Sequence, residues 1–228
     1  MEGILVIDKP AGISSFRAVN QVKWLLSRGT KIGHAGTLDP FATGVLLLLV
    51  GKATKLCERL MDEPKRYETT IKFGATTATD DPKFPEQPRE VITPPTRAQV
   101  EAALPRFVGA IQQRPPNFSA IKVSGRRAYA IAVKGEPVIL QPRTVQVYRM
   151  ALLEYEWPLL SLRIDCGRGT YIRSIARDLG EMLEVGGYVA ALRRTRVGPF
   201  DASDAIAIEQ VERDGVAAHL RGYSPPIG

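Results

Sequence analysis

Metal-binding and cross-linking residues are nearly missing from this sequence. It holds two cysteines, Cys57 and Cys166, and two histidines, His34 and His219, each in a different context. Four such scattered side chains do not make an ordinary zinc site or a disulfide framework, so no structural metal and no cross-linked secreted fold is expected. Long apolar runs are missing as well. The longest, residues 45–50, is far too short to span a bilayer and suits a buried strand. No basic region, apolar stretch and cleavage site precede the first strand-like run, which argues against a secretory signal and makes a reduced cytoplasm the expected compartment. Internal repeats and low-complexity tracts are absent too.

What is present is ordinary globular material with a charge bias. A hydrophobic share of 44% and a charged share of 24% are those of a folded chain, and 228 residues suffice to bury a substantial core. Lysine and arginine outnumber aspartate and glutamate by 31 to 24, a net charge of +7. That excess favours a polyanionic partner, because neutralised phosphates supply most of the non-specific affinity for nucleic acid. Strand-like and helix-like segments are mixed without a regular βαβ rhythm, which predicts an α+β fold rather than a doubly wound sheet.

Residues 4–7 form a short buried strand ending in the turn-rich Asp8-Lys9-Pro10-Ala11-Gly12. Ser14 or Ser15 caps a helix that carries Val19, Val22, Leu25 and Leu26 on one face and stops at Gly29. Residues 33–40 are expected as a loop, followed by strand 45–50 and a helix over 53–61. Tyr67, Thr69, Ile71 and Phe73 alternate with polar residues as in a half-buried strand. Residues 80–95 have the composition of an exposed excursion. Thr96 and Gln99 form a capping box for a helix bearing Val100, Ala103, Leu104 and Phe107. Residues 144–150, 151–156 and 159–166 are read as three successive strands. Thr170 is expected to cap a helix running to about residue 183, closed by Gly186-Gly187.

Two residues stand out chemically. Pro40 pushes Asp39 away from helical geometry into an extended backbone, and flanking glycines let a ligand approach the chain closely. Taken alone, Asp-Pro is a common turn starter. Arg173 falls at the third position of a helix capped by Thr170, where a glutamate or glutamine would complete a capping box. A cation there opposes the helix dipole at a cost of about 0.3–1 kcal/mol, which calls for a compensating buried carboxylate. Asp39 is a candidate, because a guanidinium partner lowers a carboxylate pKa by about 1–3 units and keeps it ionised.

Several motifs then fall in one order. Gly33-His34-Ala35-Gly36-Thr37-Leu38-Asp39-Pro40 with Ala42-Thr43-Gly44-Val45-Leu46 resembles the signature of the TruB-type tRNA pseudouridine synthases. Ile7-Asp8-Lys9-Pro10-Ala11-Gly12 is similar to that family's opening lysine–proline–glycine motif. Lys65-Arg66-Tyr67, Phe118-Ser119-Ala120-Ile121-Lys122, Gly169-Thr170-Tyr171-Ile172-Arg173 and Leu192-Arg193-Arg194 follow in the family's sequence. The resemblance covers residues 4–210, and ordered motifs together are far more specific than any one.

The resemblance implies a pseudouridine synthase fold, α+β, with a central mixed or antiparallel sheet flanked by helices and a catalytic cleft. It implies a single catalytic domain over residues 1–228, in which 209–228 are a short tail too small for a core of its own. The separate C-terminal RNA-binding (PUA) domain of many bacterial members is not expected here. The implied reaction isomerises uridine to pseudouridine at position 55 of the tRNA T loop, with no cofactor and no metal. The implied partner is the T arm of tRNA, met by a monomer that binds no membrane.

By resemblance Asp39 is the catalytic carboxylate, Tyr67 the aromatic platform for the flipped uracil, and Arg173 the third catalytic residue. His34, Leu192, Lys9, Gly36, Thr37 and Lys122 are implied to bind substrate, and Arg126, Arg127, Arg143, Arg193 and Arg194 join Lys9 and Lys122 as phosphate contacts. Residues 114–127 resemble the family's thumb loop. Two other classes compete. A non-catalytic RNA-binding module needs no ionised carboxylate among phosphates, and a glycosidase usually works with a carboxylate pair where the Asp39 loop offers one.

Overall fold

The computed structural model describes residues 1–119, 131 and 140–223, and the backbone of Lys122–Val123 and Arg126–Arg127. The chain begins with strand β1 (Gly3–Lys9), helix α1 (Ser15–Lys23), strands β2 (Ile32–Ala35) and β3 (Thr43–Val50), a 3-10 turn and helix α2 (Cys57–Asp62). Strand β4 (Lys65–Phe73), the short β5 (Ala75–Thr76) and β6 (Gln87–Pro88), and helix α3 (Arg97–Ala103) follow. Then come β7 (Gly109–Gln113), β8 (Lys122–Val123), β9 (Arg126–Arg127), β10 (Arg143–Glu156), β11 (Leu159–Cys166) and helix α4 (Ile172–Met182). The chain closes with β12 (Gly187–Val197), β13 (Phe200–Asp201) and helices α5 (Ile208–Asp214) and α6 (Val216–His219). Mixed strand directions with helices set beside them make this an α+β fold.

Two compact units divide the chain: Met1–Tyr67 with Leu192–Gly228, and Glu68–Ala191. In the first, β3 is central. It pairs antiparallel with β1 from Gly3↔Val50 to Lys9↔Gly44. Its other edge is shared: β2 pairs antiparallel with residues 47–50, and β12 pairs parallel with residues 43–44. Side chains alternate along the strands. Val45, Leu47 and Leu49 therefore join Ile4, Val6, Leu60 and Phe200 in one core cluster. Leu46 and Leu48, just as buried, point to the opposite face. A strand covered on both faces reads as an unbroken apolar run, which explains residues 45–50. Ser14 caps α1 as expected, but the helix ends at Lys23, so Leu25 and Leu26 lie in turns beyond it.

The expected tail is built into this unit. Arg221 exchanges backbone hydrogen bonds with Ile4, at 2.9 Å in each direction, and Tyr223 packs its ring 5.7 Å from that of Phe200. Ile208, Val211 and Val216 are buried. These residues need no core of their own because they complete the one formed by β1 and β3.

In the second unit β10 pairs antiparallel with both β11 and β7. The two strands expected over 144–156 are one: residues 150–152 pair in register with β11, and β-bulges on either side, between residues 147 and 149 and between 152 and 154, stand where no turn occurs. The capping box at Thr96 and Gln99 is present. Thr170 is not the cap of α4. Tyr171 occupies that position with no side-chain cap, and Thr170 Oγ1 donates to the Gly167 carbonyl at 3.2 Å. The buried Gln113 takes over instead, accepting from Tyr171 N–H at 2.8 Å and donating to its carbonyl at 3.0 Å. Residues 80–95 are exposed only in part, since Asp81 and Pro95 are buried.

The junction of β3 with β12 sets a sharp limit on side-chain size. Gly44 has a φ of +102°, and a Cβ there would lie 2.2 Å from the Arg194 carbonyl oxygen. Gly44→Ala is expected to cost more than about 3 kcal/mol, since strain of ~1–3 kcal/mol adds to a backbone clash that no rotamer relieves. Gly12→Ala, at φ +86° but in open space, should lose only about 1–2 kcal/mol. Urea denaturation of the two variants measures the difference, and equal losses would refute the close approach.

Candidate active site

Asp39 sits half-buried on the segment that leaves β2 at Ala35 and enters β3 at Thr43. Gly33, His34 and Ala35 are therefore strand rather than loop, and the true loop is residues 36–42. Its backbone is held from within the same unit by three side chains. Ser15 Oγ, buried at the start of α1, accepts from Leu38 N–H at 2.8 Å and donates to the Leu38 carbonyl at 3.1 Å. Arg194, 1% exposed, donates through Nη2 to the Gly36 carbonyl at 3.0 Å, through Nη1 to Thr37 at 3.5 Å and through Nε to Val45 at 2.8 Å. Lys9, fully buried, donates to the carbonyls of Pro10 at 2.7 Å, Ile13 at 2.9 Å and Pro40 at 3.3 Å. A loop-internal bond from Ala42 N–H to the Asp39 carbonyl and one from Gly12 N–H to the Pro40 carbonyl complete the frame.

These cations also set the local field. Burial pulls the Lys9 ammonium down to about 8; the neighbouring Asp39 carboxylate opposes that fall and the Arg194 cation adds to it. Asp39 thus sits in the field of a buried lysine. His34 lies on β2 opposite Leu48, and its Nδ1 is buried with no hydrogen-bond partner among the described residues. Burial, then the Arg194 charge, lowers its pKa from the ordinary histidine value, which favours the neutral ring.

Tyr67 is half-buried on β4, which begins at the buried Lys65; the Lys65 ammonium donates to the carbonyls of Met61 and Glu63. Leu192 is buried on β12, Gly36 has a φ of +87°, and Thr37 is exposed.

Arg173 belongs to the second unit. It is 3% exposed, donates to the carbonyls of Thr79 at 3.0 Å and Phe118 at 3.1 Å, and lies 3.4 Å from an Asp81 carboxylate oxygen. Asp81 in turn accepts from Thr79 Oγ1 at 2.6 Å and from Lys83 N–H at 3.0 Å. The guanidinium at the positive end of α4 is therefore matched by a buried carboxylate, as its position demands. Beside it, burial pushes Asp80 up to about 6 although Arg177 stands 3.3 Å away.

Lys9 and Arg194 are not surface cations. Both are buried and spend their N–H groups on carbonyls, which leaves them positioning the loop instead of reaching outward for phosphate. Arg193 pairs with Asp8 at 2.8 Å, and Arg143 donates to the Gly169 carbonyl at 2.6 Å. The side chains of Lys122, Arg126 and Arg127 lie outside the described residues. Ser15 and Asp81 are the site residues whose burial the sequence does not announce, since a candidate helix cap and an aspartate in a polar stretch carry no signal of it. Among the described residues no group of three His, Cys, Asp or Glu side chains is placed to hold a metal ion.

Comparison with known proteins places the chain among its relatives. The family model for the N-terminal domain of the TruB family pseudouridylate synthases matches residues 23–172, and the model for the tRNA pseudouridylate synthase B C-terminal domain matches residues 173–221. The chain is 46% identical to tRNA pseudouridine synthase B of Pseudomonas paraeruginosa over 213 residues, covering 93% of this chain and 69% of that one. Against the same enzyme of Pseudomonas fluorescens identity is 45% over 228 residues, covering 100% and 72%. Among solved structures, a chain of a Cbf5-Nop10-Gar1 complex superposes with a TM-score of 0.71 at 29% identity, covering 95% of this chain and 57% of that one. A chain of an H/ACA RNP bound to a substrate RNA containing 2'-deoxyuridine gives 0.68 at 27% identity, covering 94% and 56%. This chain thus spans little more than half of each solved relative. With two family models meeting end to end at residues 172 and 173, and the first of them spanning the loop that carries Asp39, the chain belongs to the TruB family of pseudouridylate synthases.

Proposed function

We propose that this chain isomerises uridine to pseudouridine in tRNA, at uridine 55 of the T loop, with Asp39 as the catalytic carboxylate. The observation that supports it most is the Asp39 loop itself. Three buried side chains hold its backbone and a lysine stands beside its carboxylate, in a chain of the pseudouridylate synthase family. A carboxylate that must meet one sugar or one base needs this kind of preorganisation.

The reaction leaves the composition of the nucleotide unchanged. The C1′–N1 bond breaks, the uracil turns, C1′ joins C5, and the C5 proton leaves while N1 gains one. Asp39 attacks the sugar or the base, or removes a sugar proton. Each route requires an ionised, oriented carboxylate. No redox change or group transfer occurs, so the chemistry calls for no cofactor. The stacked base reaches such a carboxylate only after flipping out of the loop, at a cost of a few kcal/mol. Tyr67 supplies the stacking platform, worth about 1–3 kcal/mol per base. His34 and Leu192 line the place of the flipped base, and Gly36 and Thr37 give the RNA a close approach to the backbone. Arg173 is the third catalytic residue, with Asp81 holding its guanidinium. Lys9 and Arg194 keep the loop in place.

Reaction of wild-type protein with a tRNA transcript, followed by carbodiimide mapping, should yield pseudouridine at position 55 and nowhere else. Product at another uridine, or none, would refute the assignment. Tyr67→Phe should bind tRNA as wild type does and react more slowly if the hydroxyl takes part in proton transfer. Equal single-turnover rates would leave the ring as a platform only. Arg173→Ala should lose most of its activity, and a wild-type rate would remove it from the site.

The depressed Lys9 value gives a pH signature. The folded pKa lies below the ordinary 10.5, so the folded chain releases this proton first, and the Lys9 contribution to stability rises between about pH 8 and 10.5. Activity should run the other way. Loss of the ammonium weakens a three-carbonyl clamp and removes a positive charge beside Asp39, so kcat/KM should fall through about pH 8. In Lys9→Arg that alkaline limb should vanish; its persistence would assign the limb to another group.

A further inference from the structure

Helix α1 buries Ala18, Val19 and Val22, and turns two aromatic rings outward: Phe16 is 69% exposed and Trp24 is 88% exposed. With Asn20 between them at four-residue spacing, they lie along one side of the helix. Trp24 keeps helical backbone angles at the C-cap, so the two rings stand about 12 Å apart along the axis at 1.5 Å per residue. Rings so exposed bring no core energy to this unit and leave apolar surface in water.

Within α1 and the segment after it the charge has one sign, although α5, which packs against α1, carries Glu209, Glu212 and Asp214. No aspartate or glutamate occurs between residues 9 and 38, a stretch that holds Lys9, Arg17, Lys23, Arg28 and Lys31. Beside Trp24 opens a cavity of about 720 Å3 whose lining includes Lys23, Arg28, Lys31 and His34, and no carboxylate. The α1 surface is thus continuous, within one unit, with the histidine assigned to the flipped nucleotide. A second copy of this chain carries the same net charge of +7 and would be repelled overall. A polyanion with flat apolar faces satisfies both features at once, because every base has a face to stack and every phosphate a charge to neutralise.

We propose that the Phe16–Trp24 side of α1, with Lys23, Arg28 and Lys31, is a second RNA-binding surface. Unpaired bases stack on the two rings, and the backbone runs over the cavity toward His34. The surface rests on the reading that RNA is the substrate, and it adds affinity without touching the reacting atoms. Trp24 and Trp157 are the chain's two tryptophans, so a Trp157→Phe protein reports Trp24 alone. Its emission should be quenched on titration with a whole tRNA transcript. In the otherwise wild-type chain, Trp24→Ala should raise the Kd for that transcript about ten-fold, with kcat at saturating tRNA unchanged. Lys23→Glu with Arg28→Glu should flatten the salt dependence of binding. An unchanged Kd in Trp24→Ala would overturn the proposal, as would a variant that alters self-association but not tRNA affinity. Wild-type turnover measured in the same reactions separates the two readings: an enzyme that binds through Trp24 yet forms no product counts against catalysis alone.

Discussion

The site rests on one buried guanidinium. Arg194 comes from β12, the strand that pairs with β3 at residues 43–44 and no further, while β2 pairs with β3 only from residue 47 onward. Between those two ladders the chain must leave the sheet as a loop, and the Arg194 side chain fills the gap. Its Nε serves the Val45 carbonyl and its two terminal nitrogens serve Thr37 and Gly36. A buried carbonyl left without a donor costs about 1–3 kcal/mol, so the loop has strong reason to keep this one conformation. Gly44 is the corollary, since only a residue without Cβ lets β3 approach the Arg194 backbone so closely.

Two buried cations at the base of one loop would be costly without anions or carbonyls to receive them. Here carbonyls do most of that work, and Asp39 adds a full charge near Lys9. The same economy is repeated in the other unit. Arg173 at the start of α4 meets the Asp81 carboxylate and two carbonyls, and Asp81 is itself fixed by Thr79 and Lys83. In both places a cation buried by the fold is received by backbone carbonyls and a nearby carboxylate.

Local rules carried much of the fold in the sequence. The Ser14 cap, the Thr96–Gln99 capping box and the alternation along β4 are short-range signals, and all are present. The errors came where a distant residue overrode a local one. Thr170 had the chemistry of a helix cap, yet Gln113 reaches Tyr171 from 58 residues away. Lys9 and Arg194 looked like surface cations because charge alone says so, and only the sheet pairing shows why they are buried. The polar composition of 80–95 hid Asp81, whose burial depends on Arg173. The family, by contrast, was legible early, because ordered motifs need no knowledge of where each residue lies.

The central claim is that Asp39 performs the chemistry which this loop is built to hold. Tritium release from RNA labelled at uracil C5 tests it most directly, because C1′–C5 bond formation expels that hydrogen. Catalysis by Asp39 predicts release with the wild-type chain and none with Asp39→Asn, while both bind the RNA with similar affinity. Release that persists in Asp39→Asn would contradict it.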